Sequence, residues 1–283
     1  MITTDEQEAE QQGEEEALDA SSGEGTDTPS GVPSLDSEVS EEDEEPAPRF
    51  DIVICDFDSA VYASGFGCPE GSPESHALHN LKNIVEKVFE YTQPEAYTIF
   101  LSGSKNFRYE LATLKPYKGN RKDRKPEHFL ALREYLMNNW GAEVTDGIEA
   151  DDACAILHTE YLERGLTPVT ASIDKDLLQL QGWHFNVRKD QLKYVSQFEA
   201  DKNFYYQMLV GDSTDNIGGV PSIGPKKAAA ILKDARDKIG LETCVQNAYK
   251  SFCGPNWRDI MIENGRLLYL QRKPNDVWEP LNL

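Results

Sequence analysis

Four short carboxylate clusters punctuate the chain: Asp56-Phe-Asp58, Glu149-Ala-Asp151-Asp152, Asp174-Lys-Asp176 and Asp212-Ser-Thr-Asp215. Asp56 follows the apolar run Ile52–Cys55, and Asp174 follows Pro168–Ile173. The Glu149 cluster opens an amphipathic stretch, and the Asp212 cluster follows Met208-Leu-Val210. Capping explains any one of them, because Asp suits an N-cap and acidic first turns complement the helix dipole. Together they place Asp56, Glu149, Asp151, Asp152, Asp174, Asp176, Asp212 and Asp215 at strand or helix ends, with no matched block of Lys or Arg beside most of them. Crowded carboxylates raise one another's pKa unless a cation neutralises them. Hard oxygen donors suit Mg²⁺ or Mn²⁺, and so many of them point to two ions, the arrangement that clamps both oxygens in a phosphoryl displacement. His76 and His79 share a helix face but lack a third ligand, and no P-loop, GxSxG or GxGxxG is present.

Two further stretches suit an anionic polymer. Lys105–Lys125 holds eight basic residues against two acidic, with Tyr109 and Tyr117 interleaved. Cations such as Arg108, Lys118, Arg121 and Lys122 neutralise phosphates, and a tyrosine such as Tyr117 can stack on unpaired bases. Further on, Ile217-Gly218-Gly219-Val220-Pro-Ser-Ile223-Gly224-Pro-Lys226-Lys227 puts a Gly-rich hairpin before a helix. Glycine lets backbone approach a phosphate, and helix-start amides with two lysines can then hold it, so this hairpin is expected to bind DNA backbone.

The elements that position these groups follow from periodicity. Ile52–Cys55, Tyr97–Leu101 and Pro168–Ile173 read as buried strands, and Phe185–Val187 and Lys193–Val195 as shorter ones. Leu78–Tyr91, a stretch from about Pro126 and another from about Asp151 to Glu163 read as helices, and beyond about residue 201 the pattern is helical. Strands alternating with amphipathic helices predict an α/β fold with a mostly parallel sheet. The 283-residue chain carries a net charge of −22, but residues 1–49 alone hold 17 acidic residues and one Arg. That segment is too polar to offset its ordering entropy and is predicted to be a disordered acidic tail, with a docking partner as the functional alternative. The remaining body is only mildly acidic, so the low pI does not exclude nucleic acid. No apolar run is long enough for a membrane span and no secretory signal is expected. The five unpaired-looking cysteines suit a reducing cytoplasm.

The motifs in combination resemble the 5′→3′ exonuclease and flap endonuclease superfamily, in particular bacteriophage enzymes and the 5′-nuclease domain of bacterial family-A DNA polymerases. The likeness rests on Asp56, Asn106-Phe-Arg, Tyr117-Lys-Gly-Asn-Arg121, Gly147-Ile-Glu-Ala-Asp-Asp152, Ser172-Ile-Asp-Lys-Asp176 and Gly211-Asp-Ser-Thr-Asp-Asn216. It implies a PIN-like α/β domain over 50–200 with a helical arch at about 104–126. A C-terminal helical region over 201–283 would then carry a helix-three-turn-helix at about 211–233. Asp56, Glu149, Asp151 and Asp152 would form a first metal site, and Asp174, Asp176, Asp212 and Asp215 a second. Lys118 and Arg121 would face the scissile phosphate, and the hairpin could hold K⁺. The implied activity is two-metal-ion hydrolysis of DNA at or near a 5′ end or flap by a monomer, in an infected bacterial cytoplasm if the chain is of phage origin. A PIN-like ribonuclease and a degraded DNA-binding module are the alternatives. One departure stands out: many members carry an Asp shortly after the second strand, where this chain has Ser102-Gly103-Ser104, so weaker binding of the first ion is expected.

Overall fold

The computed structural model describes residues 48–121 and 124–281. Residues 1–47 of the predicted acidic tail and Lys122 lie outside them. The first half comprises β1 (Ile52–Asp56), α1 (Asp58–Phe66), α2 (Glu74–Thr92), β2 (Ala96–Leu101), α3 (Arg108–Leu111), α4 (Phe129–Trp140) and β3 (Glu143–Val144). There follow α5 (Ala150–Glu163), β4 (Pro168–Ser172), a 3₁₀ turn at Asp176–Gln179, β5 (Gly182–Asn186), β6 (Gln191–Val195) and α6 (Gln197–Val210). The chain ends with β7 (Gly211–Asp212), β8 (Ile217–Gly218), α7 (Pro225–Leu232), α8 (Lys238–Phe252) and α9 (Trp257–Leu268).

Six strands form one sheet in the order β3-β2-β1-β4-β5-β6, parallel throughout except for the β5–β6 hairpin at one edge. β1 is central and wholly buried because both of its faces are covered. Val53 and Cys55 join Phe57 in a core with residues of α1, α2 and α4, while Ile52 and Ile54 face Cys154, Leu177 and Leu270 on the other side. That alternation follows from the two-residue period of a strand. Helices α6 to α9 enclose a second core around Tyr205, Met208, Leu241 and Tyr249, which also takes in Tyr117.

The strand order has a functional consequence. From β1 the chain moves outward to β2 and β3, then α5 returns it to the other side of β1 as β4. A crevice at such a reversal, outside the carboxyl ends of the strands, is where open α/β sheets bind ligands. Asp56 ends β1 there, and Ser172 ends β4 next to it.

The predicted helices are longer or shifted by a few residues: α2 begins at Glu74, and α4 begins only at Phe129. Helix α1 was not predicted. Its sequence, DSAVYASGF, has three small residues on its buried side, and Gly65 packs so closely on Pro126 that a Cβ there would lie 2.5 Å from it. Close packing of small residues leaves no amphipathic stripe to read.

Candidate active site

The strand ends are shaped by the carboxylates themselves. Ser172 Oγ donates to Asp56 Oδ2 (3.1 Å) and accepts from Asp174 N (2.9 Å), joining the ends of β1 and β4. Asp174 Oδ1 accepts from Asp176 N (2.9 Å), closing the turn into the 3₁₀ segment. Asp212 Oδ1 accepts from Thr214 N (2.7 Å) and Asp215 N (3.2 Å), which curls the β7–β8 loop back on itself. Such side-chain-to-backbone bonds use one oxygen of each Asp and are the local reason these loops adopt their shapes.

The loops surround a cleft of about 450 Å³ whose lining includes Asp56, Asp58, Glu149, Asp151 and Asp174 together with Lys118 and Arg121. Lys118 and Arg121 reach it because their segment is fastened to the Asp212–Asn216 loop. Lys118 N donates to Asp215 O (2.9 Å), Asn120 Nδ2 to Ser213 O (2.6 Å) and Asn216 Nδ2 to Pro116 O (2.9 Å). Asp176, Asp212 and Asp215 stand beside the cleft. Lys175 bridges Asp176 (3.6 Å) and Asp212 (3.5 Å), and Asp215 pairs with Arg121.

Burial and mutual repulsion resist ionisation here. Asp56 is pushed up to about 7, by burial first and then by Asp58 and Asp174. Burial, followed by Asp152 and Glu149, holds Asp151 well above the usual carboxylate range. Asp174 is also raised by burial, and Asp176 is pushed up to about 7 by burial and then by Asp174. Among the described residues, Asp56, Asp151 and Asp174 have no ion-pair partner. Uncompensated oxygen donors of this kind fit a hard divalent cation. Among the described residues, no three His, Cys, Asp or Glu side chains converge into a ready-made cage.

The remaining acids do have cation partners in the fold, which the sequence around them does not show. Lys118 pairs with Glu149, Arg121 with Asp215, Arg133 with Asp58 and Arg108 with Asp152. The partners come from segments distant in sequence, so no local block of basic residues announces them. Lys175, next in sequence to one of the two acids it bridges, was legible but not assigned, and Ser172 stood in a recognised motif without a role; Arg133 left no signal.

Other assignments change as well. Arg108, expected to face DNA, is 2% exposed, and its five N–H donors reach Asp152, Glu149 and the carbonyls of Leu267 and Tyr269. Asp152, expected as a metal ligand, is fully buried and accepts from Arg108, Glu149 N and Gln271 N. With both oxygens used, it anchors the start of α5. Tyr117 is buried rather than free to stack, its hydroxyl lying 2.6 Å from Glu149 Oε2 and 2.8 Å from Asp215 Oδ2. Val220 and Ile223 are buried in the helical core, so apolar packing rather than DNA accounts for them.

The hairpin glycines divide by surroundings. A Cβ at Gly219 would lie 2.4 Å from the Val210 carbonyl carbon, so that glycine answers to protein packing. Gly218 is half-buried near Lys115, whereas a Cβ at Gly224 would meet nothing. Gly224 precedes α7, where Lys226 and Lys227 are exposed and Lys227 Nζ donates to Ser222 O (2.9 Å). The departure at Ser102-Gly103-Ser104 also has a steric basis: a Cβ at Gly103 would lie 2.2 Å from Thr145 O, so an Asp side chain has no room there.

No protein-family model matches the chain. A 5′-3′ exonuclease of Buchnera aphidicola (Schizaphis graminum) is 29% identical over 202 residues, 64% of this chain and 69% of that protein. The flap endonuclease Xni of Shewanella piezotolerans is 29% identical over 62% of this chain and 74% of its own length. DNA polymerase I of Bacillus caldotenax is 28% identical over 78% of this chain, which spans only 27% of that enzyme. In fold, the chain resembles a bacteriophage T5 flap endonuclease solved with DNA and metal ions, with a TM-score of 0.57 at 17% identity over 77% of this chain and 89% of that one.

Proposed function

We propose, from its likeness to 5′-3′ exonucleases and a flap endonuclease, that the chain is a member of that family and a metal-dependent nuclease that hydrolyses DNA phosphodiester bonds at or near 5′ ends. The observation that carries this reading is the meeting of uncompensated Asp56, Asp151 and Asp174 with Lys118 and Arg121 in one cleft at the reversal of strand order. Asp56, Glu149 and Asp151 would hold one divalent cation, and Asp174, Asp176, Asp212 and Asp215 a second. Bound there, such cations supply Lewis-acid activation of water and stabilise charge on the reacting phosphate.

The chain's own groups do the rest. Ser172 fixes Asp56 relative to Asp174, so the two carboxylates present a set spacing. Lys118 and Arg121 hold the scissile phosphate by exchanging their carboxylate partners for its oxygens, and fixed cations in a cleft stabilise developing charge better than mobile water. Tyr117, bonded to both Glu149 and Asp215, keeps the segment carrying Lys118 against the acids. The 104–126 segment serves as the arch for a 5′ single strand. The hairpin from Gly211 into α7 is the helix-three-turn-helix duplex grip, with Gly224, Lys226 and Lys227 on its open side and K⁺ as a candidate ligand.

The test is a gel assay on 5′-labelled and 3′-labelled duplex, flap and single-stranded DNA. Cleavage from the 5′ side is expected with Mg²⁺ and none with a chelator. Asp151→Asn and Asp174→Asn are expected to abolish it while DNA binding persists. Undiminished cutting in excess chelator would sink the reading.

A further inference from the structure

Asp176 is reached from behind by two buried glutamines. Gln179 is 1% exposed and Gln207, on α6, is 6% exposed. Gln179 Nε2 donates to the Leu268 carbonyl (2.8 Å), at the end of α9, and to Gln207 Oε1 (2.7 Å). Gln207 Nε2 donates to Asp176 Oδ1. A primary amide has one accepting and one donating end, so this chain has only one workable direction. The Leu268 carbonyl can only accept, which turns the Gln179 amino group toward it. That amino group then fixes Gln207 Oε1, and the Gln207 amino group has to face Asp176.

The arrangement has a cost that marks it. Gln179 Oε1 is buried without a hydrogen-bond partner, and such orphans are rare enough to need a reason. Turning the amide over would set this oxygen against two acceptors, Leu268 O and Gln207 Oε1. The backbone of the turn is held from the same side: Arg272 donates to Gln179 O (2.6 Å) and Asn203 Nδ2 to Leu178 O (2.9 Å). Gln207 and Lys175 both engage Oδ1 of Asp176, so among the described residues Oδ2 is the oxygen without a hydrogen bond or ion pair.

We propose that Gln207, oriented by Gln179 and the Leu268 carbonyl, is a positioning residue that holds Asp176 Oδ1 and leaves Oδ2 to face a divalent cation. The proposal rests on the metal-dependent reading of the site. It makes the end of α9 part of the support for a candidate ligand on the 3₁₀ turn, although the two are about ninety residues apart in sequence.

The experiment is calorimetric titration of the whole protein with Mn²⁺ in the absence of DNA. Gln207→Met keeps the side-chain volume and removes the donor. It is expected to weaken the Mn²⁺ event that Asp176→Asn also weakens by about 10- to 100-fold, the usual effect of losing a ligand's hydrogen-bonding partner. Gln179→Met is expected to weaken the same event less, because Gln207 remains but can turn. The double variant should be no worse than Gln207→Met alone, and DNA affinity in metal-free buffer should be unchanged. If Gln207→Met does not fold, Gln179→Met carries the test. Parent-like Mn²⁺ affinity in the folded glutamine variants, with Asp176→Asn impaired, would overturn the relay. Parent-like affinity in Asp176→Asn would instead overturn the metal reading at Asp176, and the relay with it.

Discussion

Arg108 and Asp152 meet in a bidentate ion pair that is almost wholly removed from solvent, at 2% and 0% side-chain exposure. Every donor of the guanidinium and four acceptor positions of the carboxylate are engaged. Removing one partner of such a pair leaves an uncompensated buried charge, at a cost of about 3–5 kcal/mol. Arg108→Ala and Asp152→Asn are therefore expected to lower stability by about that amount in urea denaturation. Arg108→Lys keeps the charge but not the planar fork, so it should fall between. Full stability in Arg108→Ala, with weaker DNA binding, would return Arg108 to the DNA surface.

The acidic cleft makes a prediction about pH. Asp56 and Asp176 are both pushed up to about 7, by burial first and by neighbouring carboxylates second. A group whose folded pKa exceeds its unfolded value, near 4 for Asp, contributes stability that is fully present below the unfolded pKa and lost as pH rises through the folded one. Without divalent cations the protein should lose thermal stability from these groups between about pH 4 and pH 7. A cation that binds the ionised forms opposes that loss. The rise in Tm on adding Mg²⁺ is thus expected to be larger at pH 8 than at pH 5.5, measured against a chelator control. Equal gains at both pH values would show that Mg²⁺ does not meet these carboxylates.

Much of this site could be read from local sequence, and the remainder could not for definable reasons. Asp56 and Asp174 were legible because each follows an apolar run that forms a buried strand, at or just beyond its carboxyl end. The sheet was legible for the same reason: β1, β2 and β4 are short, apolar and rich in β-branched residues. Pairings were another matter. Arg108 lies 44 residues from Asp152, and Lys118 lies 31 from Glu149, so no spacing rule links them. By composition the basic stretch read as a funnel for DNA, and only the family resemblance set Lys118 and Arg121 apart. The fold sorts it into a buried pin (Arg108), a buried bridge (Tyr117) and two cations at the cleft (Lys118 and Arg121). Helix α1 escaped notice because small residues bury without forming an apolar stripe.

The exposed lysines at the start of α7 carry a different expectation. Lys226 and Lys227 sit close to Gly224 in open surroundings and do not line the acidic cleft. Lys226→Ala combined with Lys227→Ala should weaken duplex binding and flatten its dependence on salt, since fewer counterions are released on binding. A short single strand should be affected less. Equal losses for both substrates, measured by fluorescence anisotropy over a salt series, would show that the hairpin is not a duplex grip.

Lys118 is the cation expected to act on the chemistry rather than on attraction. Its backbone is left-handed (φ 55°), and its amide is held by Asp215 O at 2.9 Å, so the side chain leaves the chain in a fixed direction. Its ammonium pairs with Glu149, lies 3.9 Å from Asp215 Oδ2 and sits 5.0 Å above the centre of the Tyr117 ring. It therefore stands between candidate ligands of both cations, where a bound phosphate would replace Glu149 as its partner. A contact strengthened in the transition state lowers kcat and kcat/KM together when it is lost. Removing one such donor costs on the order of 10²–10³ in rate. Lys118→Ala is expected to slow single-turnover cleavage by roughly that factor and to change DNA affinity little. Mn²⁺ binding should not weaken, because Glu149 is released from its ion pair. The Lys226→Ala, Lys227→Ala double variant should behave oppositely, with weaker binding and near-normal cleavage once DNA is saturating. If saturating DNA restores the Lys118→Ala rate as well, Lys118 serves only to attract the substrate.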